Sequence, residues 1–91
     1  MFHKVAPQQA QDDSGAVVRV IDREHVEWLK GPMSAIVEVD FGRDVGVFCS
    51  TLVCFVSSVE IKESSIPDKA LIIDQIVAGL EAMGSKVELC E

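Results

Sequence analysis

The chain has few of the side chains from which stacking, metal and redox sites are built. Its 91 residues include no tyrosine, one tryptophan, two histidines and three cysteines. A single tryptophan, Trp28, gives no aromatic platform for stacking bases or sugars. His3 and His25 lack partners at the spacing of a zinc site, and no C-x-x-C pair occurs. We therefore expect no cofactor, no bound metal and no disulfide framework.

Basic residues are also scarce. Eight lysines and arginines stand against fifteen aspartates and glutamates, which gives a formal net charge of −7 at pH 7. Binding to phosphates depends on clustered basic side chains, whereas here they are scattered along the chain. Nucleic acid and anionic membranes are therefore disfavoured as partners. An acidic surface suits a basic protein partner, although acidity also serves solubility alone.

Long apolar runs are missing as well. None approaches the roughly 20 residues of a transmembrane helix, and residues 1–10 contain one lysine and no apolar core of a signal peptide. We expect a cytoplasmic protein of one domain. A domain of this length buries only about 60–65% of its unfolded surface, so we expect its stability to be modest or shared with a partner.

The first fifteen residues are predominantly polar. They contain Pro7, three glutamines, Asp12 and Asp13, with Phe2 and Val5 as the sizeable apolar side chains. Such a composition buries too little apolar area to offset the entropy of ordering. We predict a flexible N-terminal arm over residues 1–15 and a single α+β domain over residues 16–91.

The strand pattern extends over residues 16–62. Ala35–Phe41 alternates most clearly, with Glu38 and Asp40 on its second face, which is typical of an antiparallel strand with one buried side. From Val45 onward the apolar signal is nearly continuous and leaves no polar face. It predicts one central strand, or two strands broken near Ser50-Thr51 or Ser57-Ser58.

An amphipathic helix is predicted over Pro67–Met83. Proline suits the first helical position, and Gly84 can take the left-handed conformation that ends helices. Val87–Leu89 then alternates as a short edge strand. The expected fold is α+β, with a small antiparallel or mixed sheet of about 4–6 strands, one main C-terminal helix across one face and a final strand. The helix residues at apolar spacing are Ile73, Ile76, Val77 and Leu80.

A second contact surface is predicted beside this stripe. Leu71 falls on a helical face with Gln75 and Ala78, away from the apolar side. Trp28 belongs to a residue type that is enriched in interfaces, although packing in the core is the favoured explanation for it. Gly79 in the helix interior costs about 1 kcal/mol relative to alanine, which indicates the close approach of another backbone. The candidate interface residues are Trp28, Leu71, Gln75 and Ala78.

No local pattern indicates catalysis. A nucleophile built from His25 with Cys49 or Cys54 needs a third group to orient the ring, and no signature for it is present. Glu38 and Asp40 share a strand face and fit a solvated surface better than an acid–base pair. We expect no catalytic residues.

The ending I-x-x-x-I-V-x-x-L-E-A-x-G-x-K-V-E-L, from Ile72 to Leu89, resembles the C-terminal part of small bacterial immunity-type and uncharacterised α+β proteins. The resemblance covers about a fifth of the chain and assigns no role to any residue. The function predicted from charge and surplus apolar surface is non-enzymatic protein binding, as a homodimer or as an immunity-like or adaptor-like binder of a basic protein. The alternative is a small-molecule binder or minor enzyme with a pocket between helix and sheet.

Overall fold

The computed structural model describes residues 1–57, 59–61 and 69–90. Within these ranges the chain forms eight strands and one α-helix. In chain order they are β1 (Phe2–Ala6), β2 (Gln9–Asp12), β3 (Val17–Val20), β4 (His25–Lys30), β5 (Met33–Phe41), β6 (Val45–Val56), β7 (Val59–Ile61), α1 (Lys69–Ala82) and β8 (Val87–Cys90).

The strands form one mixed sheet. From β1 to β7 each strand pairs antiparallel with the next one in the chain. β8 pairs parallel with β6, because the crossover between them contains α1. β7 lies against the C-terminal part of β6 and β8 against its N-terminal part. α1 contacts β1 to β4 and β8. We call the face toward α1 concave and the opposite face convex.

The fold is α+β as predicted. The sheet is larger than expected, because the described residues form eight strands where about four to six were predicted. One reason is that the residues assigned to a flexible arm form β1 and β2 instead. Their polar composition does not prevent pairing, since a strand is joined to its neighbours through backbone N–H and C=O groups. Ala10 is also fully buried opposite Val18, and Phe2 packs against the core.

β6 contains a bulge that reverses the faces of its side chains. Ile36 pairs with Val53 and Glu38 with Phe48, so a two-residue step along β5 faces a five-residue step along β6. An odd number of extra residues inverts the alternation of a strand. The Thr51 hydroxyl closes the bulge, because it donates to the Phe48 carbonyl at 2.7 Å and accepts from the Glu38 amide at 2.8 Å.

The apolar run in β6 therefore serves both faces of the sheet. Of the two breaks considered above, Ser50-Thr51 is the bulge within a continuous strand. The strand ends at Val56, and the φ of 51° at the following Ser57 lies in the left-handed region; Ser58 lies outside the described residues. The β6 side chains buried in the core are Val45, Val47, Leu52 and Cys54.

α1 covers the concave face with one apolar stripe. The predicted start at Pro67 lies outside the described residues, and the helix is described over Lys69–Ala82. Gly84 ends it with φ 95°, as predicted. The Gly84 amide donates to the Glu81 carbonyl at 2.9 Å, and the Ser85 amide to the Leu80 carbonyl at 3.1 Å. The buried residues of α1 are Ile72, Ile73, Ile76, Gly79 and Leu80.

The helix packs tightly against the sheet at Gly79. A methyl group built on Gly79 would lie 2.6 Å from Cβ and 2.7 Å from Cγ2 of Val18, which is fully buried in β3. No side chain fits in that gap, so glycine is required there by packing. This close approach explains a residue that is otherwise unfavourable within a helix.

We predict that Gly79→Ala destabilises the protein. Overpacking costs about 1–3 kcal/mol, whereas alanine gains roughly 0.5–1 kcal/mol in a helix interior. We expect a net loss of about 1–2 kcal/mol in the free energy of unfolding, measured by urea denaturation. Ala78→Gly on the exposed side is the control, and it should cost about 1 kcal/mol through helix propensity alone. A stabilised Gly79→Ala variant would contradict the packing argument.

We also predict that the Thr51 hydroxyl stabilises the bulge. Thr51→Val keeps the shape but leaves the Glu38 amide and the Phe48 carbonyl without this partner, which should cost about 1–2 kcal/mol in unfolding free energy. Thr51→Ser retains the hydroxyl and should lose clearly less. Equal losses in the two variants would show that the methyl group, and not the hydrogen bonds, is responsible.

Candidate functional site

Trp28 and Gln75 join the sheet to the helix. Trp28 lies on the concave face of β4 and is 5% exposed. Its Nε1–H donates to Oε1 of Gln75 at 2.7 Å, across 47 positions of sequence. An indole N–H can only donate and usually has an acceptor when it is buried. Gln75 therefore gives the core tryptophan the one partner it needs.

An apolar groove lies beside this hydrogen bond. It has a volume of about 450 Å³ and is formed by the start of α1 and the end of the β4–β5 hairpin. Leu71 is 49% exposed at the groove. Three of the four candidate interface residues are thus brought together, whereas Ala78 is exposed on α1 outside the lining. We call this site the Trp28 groove, lined chiefly by Trp28, Lys30, Met33, Leu71, Ile72 and Gln75.

The convex face carries an apolar cluster that no described element covers. Cross-strand pairing places Ser34 between Leu29 and Phe55, and places Ile36 beside Val53. These side chains are partly exposed and lie apart from the hydrophobic core. Together with the neighbouring Phe48 they account for the apolar residues of β6 that the helix cannot cover. We call this set the convex patch: Leu29, Ile36, Phe48, Val53 and Phe55.

Carboxylates border the convex patch. Glu38 lies directly opposite Phe48, and Glu60 directly opposite Phe55. Two residues before Phe48, Gly46 of β6 pairs with Asp40 of β5 on one side and with Glu88 of β8 on the other. All are exposed, and none of them makes an ion pair with a residue that the structure describes. We call these carboxylates the acidic rim: Glu38, Asp40, Glu60 and Glu88.

The basic side chains of β3 to β8 on the convex face already have partners. Arg19 donates through Nε to Oε1 of Glu27 at 2.6 Å. His25 Nδ1 lies 2.8 Å from Oδ1 of Asp22 in the β3–β4 turn. Neither of these two side chains is therefore paired with a carboxylate of the acidic rim.

The residues considered for nucleophilic catalysis do not form a catalytic site. His25 contacts Asp22 in an exposed turn. Cys54 is fully buried, and this burial raises the pKa of its thiol, which disfavours the reactive thiolate. Glu38 and Asp40 do share a face, as expected, and both are exposed. In the residues that the structure describes, no three histidine, cysteine or acidic side chains cluster as metal ligands.

Sequence reasoning missed the convex patch and its acidic rim. Read alone, β6 has no period, because the bulge reverses its alternation halfway. The patch appears only when the register is known, since it combines one residue each from β4 and β5 with three from β6. The signal available in the sequence was the excess of apolar residues over what a single helix can cover.

Comparison with protein-family models, curated proteins and solved structures finds no match to this chain. Over the described residues, no helix is long and apolar enough to cross a membrane.

The β3–β4 turn makes a prediction about pH. Oδ1 of Asp22 accepts from the Glu24 amide at 2.8 Å, and the same carboxylate contacts His25. The Glu24 hydrogen bond, followed by the His25 contact, lowers the pKa of Asp22. A carboxyl whose pKa is lower in the folded state stabilises the fold above its unfolded pKa of about 3.9, and this contribution is lost as pH falls through the folded pKa.

We therefore expect Asp22→Asn to lower the thermal midpoint at pH 7 and to have a shrinking effect below about pH 4. The measurement is the difference in Tm between the two proteins from pH 7 to pH 3. Asp13→Asn, in the exposed β2–β3 turn, is the control and should show a smaller difference at pH 7. A difference for Asp22→Asn that grows on acidification would contradict the assignment.

Proposed function

We propose that this chain is a non-enzymatic protein-binding module whose convex face docks a basic segment of a partner protein. The observation that supports it is the convex patch, an uncovered apolar surface bordered by carboxylates that have no counter-ion in the described residues. An exposed contiguous apolar patch rimmed by polar residues is typical of a protein interaction site.

The two parts of this surface have different physical roles. Burial of apolar area contributes about 25 cal/mol per Å², so Phe48 and Phe55 would supply much of the affinity. Each exposed ion pair adds only about 0–1 kcal/mol. A set of like charges nevertheless speeds the encounter with an oppositely charged partner and rejects partners of the wrong sign. The patch therefore favours binding, and the acidic rim selects a basic partner.

Charge also decides between a basic partner and a second copy of this chain. A two-fold dimer through the convex face would bring the same patch of both subunits together. Glu38 and Glu60 would then meet the equivalent carboxylates, and each subunit carries a net charge of −7. Like charges across an interface oppose association. A heterologous basic partner avoids this cost, so we favour it over the homodimer.

The test uses defined peptides and a charge-matched control. The probe is an extended peptide that alternates arginine with leucine, and its counterpart has glutamate in place of each arginine. We expect binding of the arginine peptide only, with amide chemical-shift changes confined to β5, β6 and their edges. Glu38→Lys/Glu60→Lys should weaken binding at least about tenfold, which is 1.4 kcal/mol. Asp74→Lys/Glu81→Lys makes the same change in net charge on α1 and should have little effect.

The apolar contribution is separable from the electrostatic one. Phe48→Ala should weaken binding about tenfold with little change in its salt dependence, whereas the reversal of the rim charges should flatten that dependence. Equal weakening by the two charge-reversal variants would show attraction to net charge alone and overturn the proposal. A concentration-dependent dimer in sedimentation equilibrium that Phe55→Glu abolishes would also overturn it, in favour of self-association.

A further inference from the structure

The Trp28 groove lies on the other side of the sheet and differs from the convex face in chemistry. Its volume of about 450 Å³ falls within the range of roughly 300–1,000 Å³ that is usual for small-molecule sites. Its walls are mostly apolar, from Trp28, Met33, Leu71 and Ile72. Such walls with few polar groups suit a compact ligand that has a large apolar body.

The side-chain polar groups of the described lining that have no hydrogen-bond partner in the structure are donors. Oε1 of Gln75 is taken by the Trp28 indole at 2.7 Å. Because the indole can only donate, this bond fixes which side of the amide faces it and leaves the Gln75 Nε2 hydrogens for a ligand. Lys30 is the only charged residue in the described lining, and its ammonium group also only donates. The Pro32 carbonyl already accepts from the Ser57 amide at 2.8 Å.

We infer that the Trp28 groove binds a small apolar monocarboxylate, with its body on the groove walls and its carboxylate held by Lys30 and Gln75. Donors and one positive charge complement an anionic acceptor and disfavour an amine. One lysine in a chain of net charge −7 suits a single negative charge better than a dianion. Most of the affinity then comes from the apolar body, since each buried CH₂ adds a similar increment. This inference is independent of the proposed function, because it uses different residues on the other face.

Trp28 gives a direct readout of this site. It is the only tryptophan, and there is no tyrosine, so the intrinsic fluorescence of the protein reports on the groove alone. The probes are octanoate, octylamine and octanol, which share one chain and differ in charge. We expect octanoate to change the Trp28 emission saturably and to bind at least about tenfold more tightly than octylamine, with octanol between them.

Matched lysine variants test the head-group contact. Lys30→Gln should weaken octanoate about tenfold and leave octanol unchanged. Lys86→Gln removes the same charge from an exposed position outside the groove and should bind octanoate like the original protein. Leu71→Glu should abolish octanoate binding by placing a carboxylate beside the ligand. All variants should keep the circular dichroism spectrum and peptide binding of the original protein.

Three results would overturn the inference. The first is equal affinity for octanoate and octylamine, and the second is equal effects of Lys30→Gln and Lys86→Gln. The third is a Trp28 emission that changes with protein concentration alone, which would identify the groove as a contact between copies of the chain. Because peptide binding at the convex face is measured separately, failure here leaves the proposed function standing, and the reverse also holds.

Discussion

Strand β6 turns its odd-numbered residues toward the core before the bulge and its even-numbered residues after it, and both surfaces of the sheet depend on this change. Without the odd number of extra residues, the buried positions of β6 would follow the alternation that begins with Val45 and Val47. Leu52 and Cys54 would then point away from the core. Thr51 stabilises the change because one hydroxyl satisfies a donor on β5 and an acceptor on β6. The bulge thus decides which apolar groups form the core and which form the convex patch, and one polar side chain stabilises it.

The second constraint is that one helix of 14 residues must cover the concave side of a curled sheet. It lies close to the strands at Gly79, which packs directly against the Val18 side chain. The Trp28–Gln75 hydrogen bond fixes the same helix one turn earlier. Gly79 therefore permits the close packing of helix on sheet, and Gln75 gives the buried Trp28 indole its hydrogen-bond acceptor. The groove beside Trp28 is the space that this placement leaves uncovered.

Local patterns predicted the elements that local physics controls. The stripe from Ile73 to Leu80, the stop at Gly84 and the strand over Ala35–Phe41 all follow from periodicity and backbone preference, and the structure confirms them. The N-terminal strands were not predicted because they are held by backbone pairing with β3, which composition does not reveal. The bulge was missed for a related reason, since register depends on residues far apart in the chain. Gln75 was named for its place on the helix, but its partner is 47 residues away.

The net charge of −7 belongs to the chain as a whole and does not give the local charge of the convex patch or of the Trp28 groove. On the convex face, Arg19 and His25 contact Glu27 and Asp22, so neither of these basic side chains is paired with the acidic rim. Among the described residues that line the Trp28 groove, the one charged side chain is basic. Attraction at long range therefore favours cations, whereas selection at contact differs between the two faces. Under the two proposals, this small domain binds ligands of opposite charge at separate sites on the two faces of one sheet.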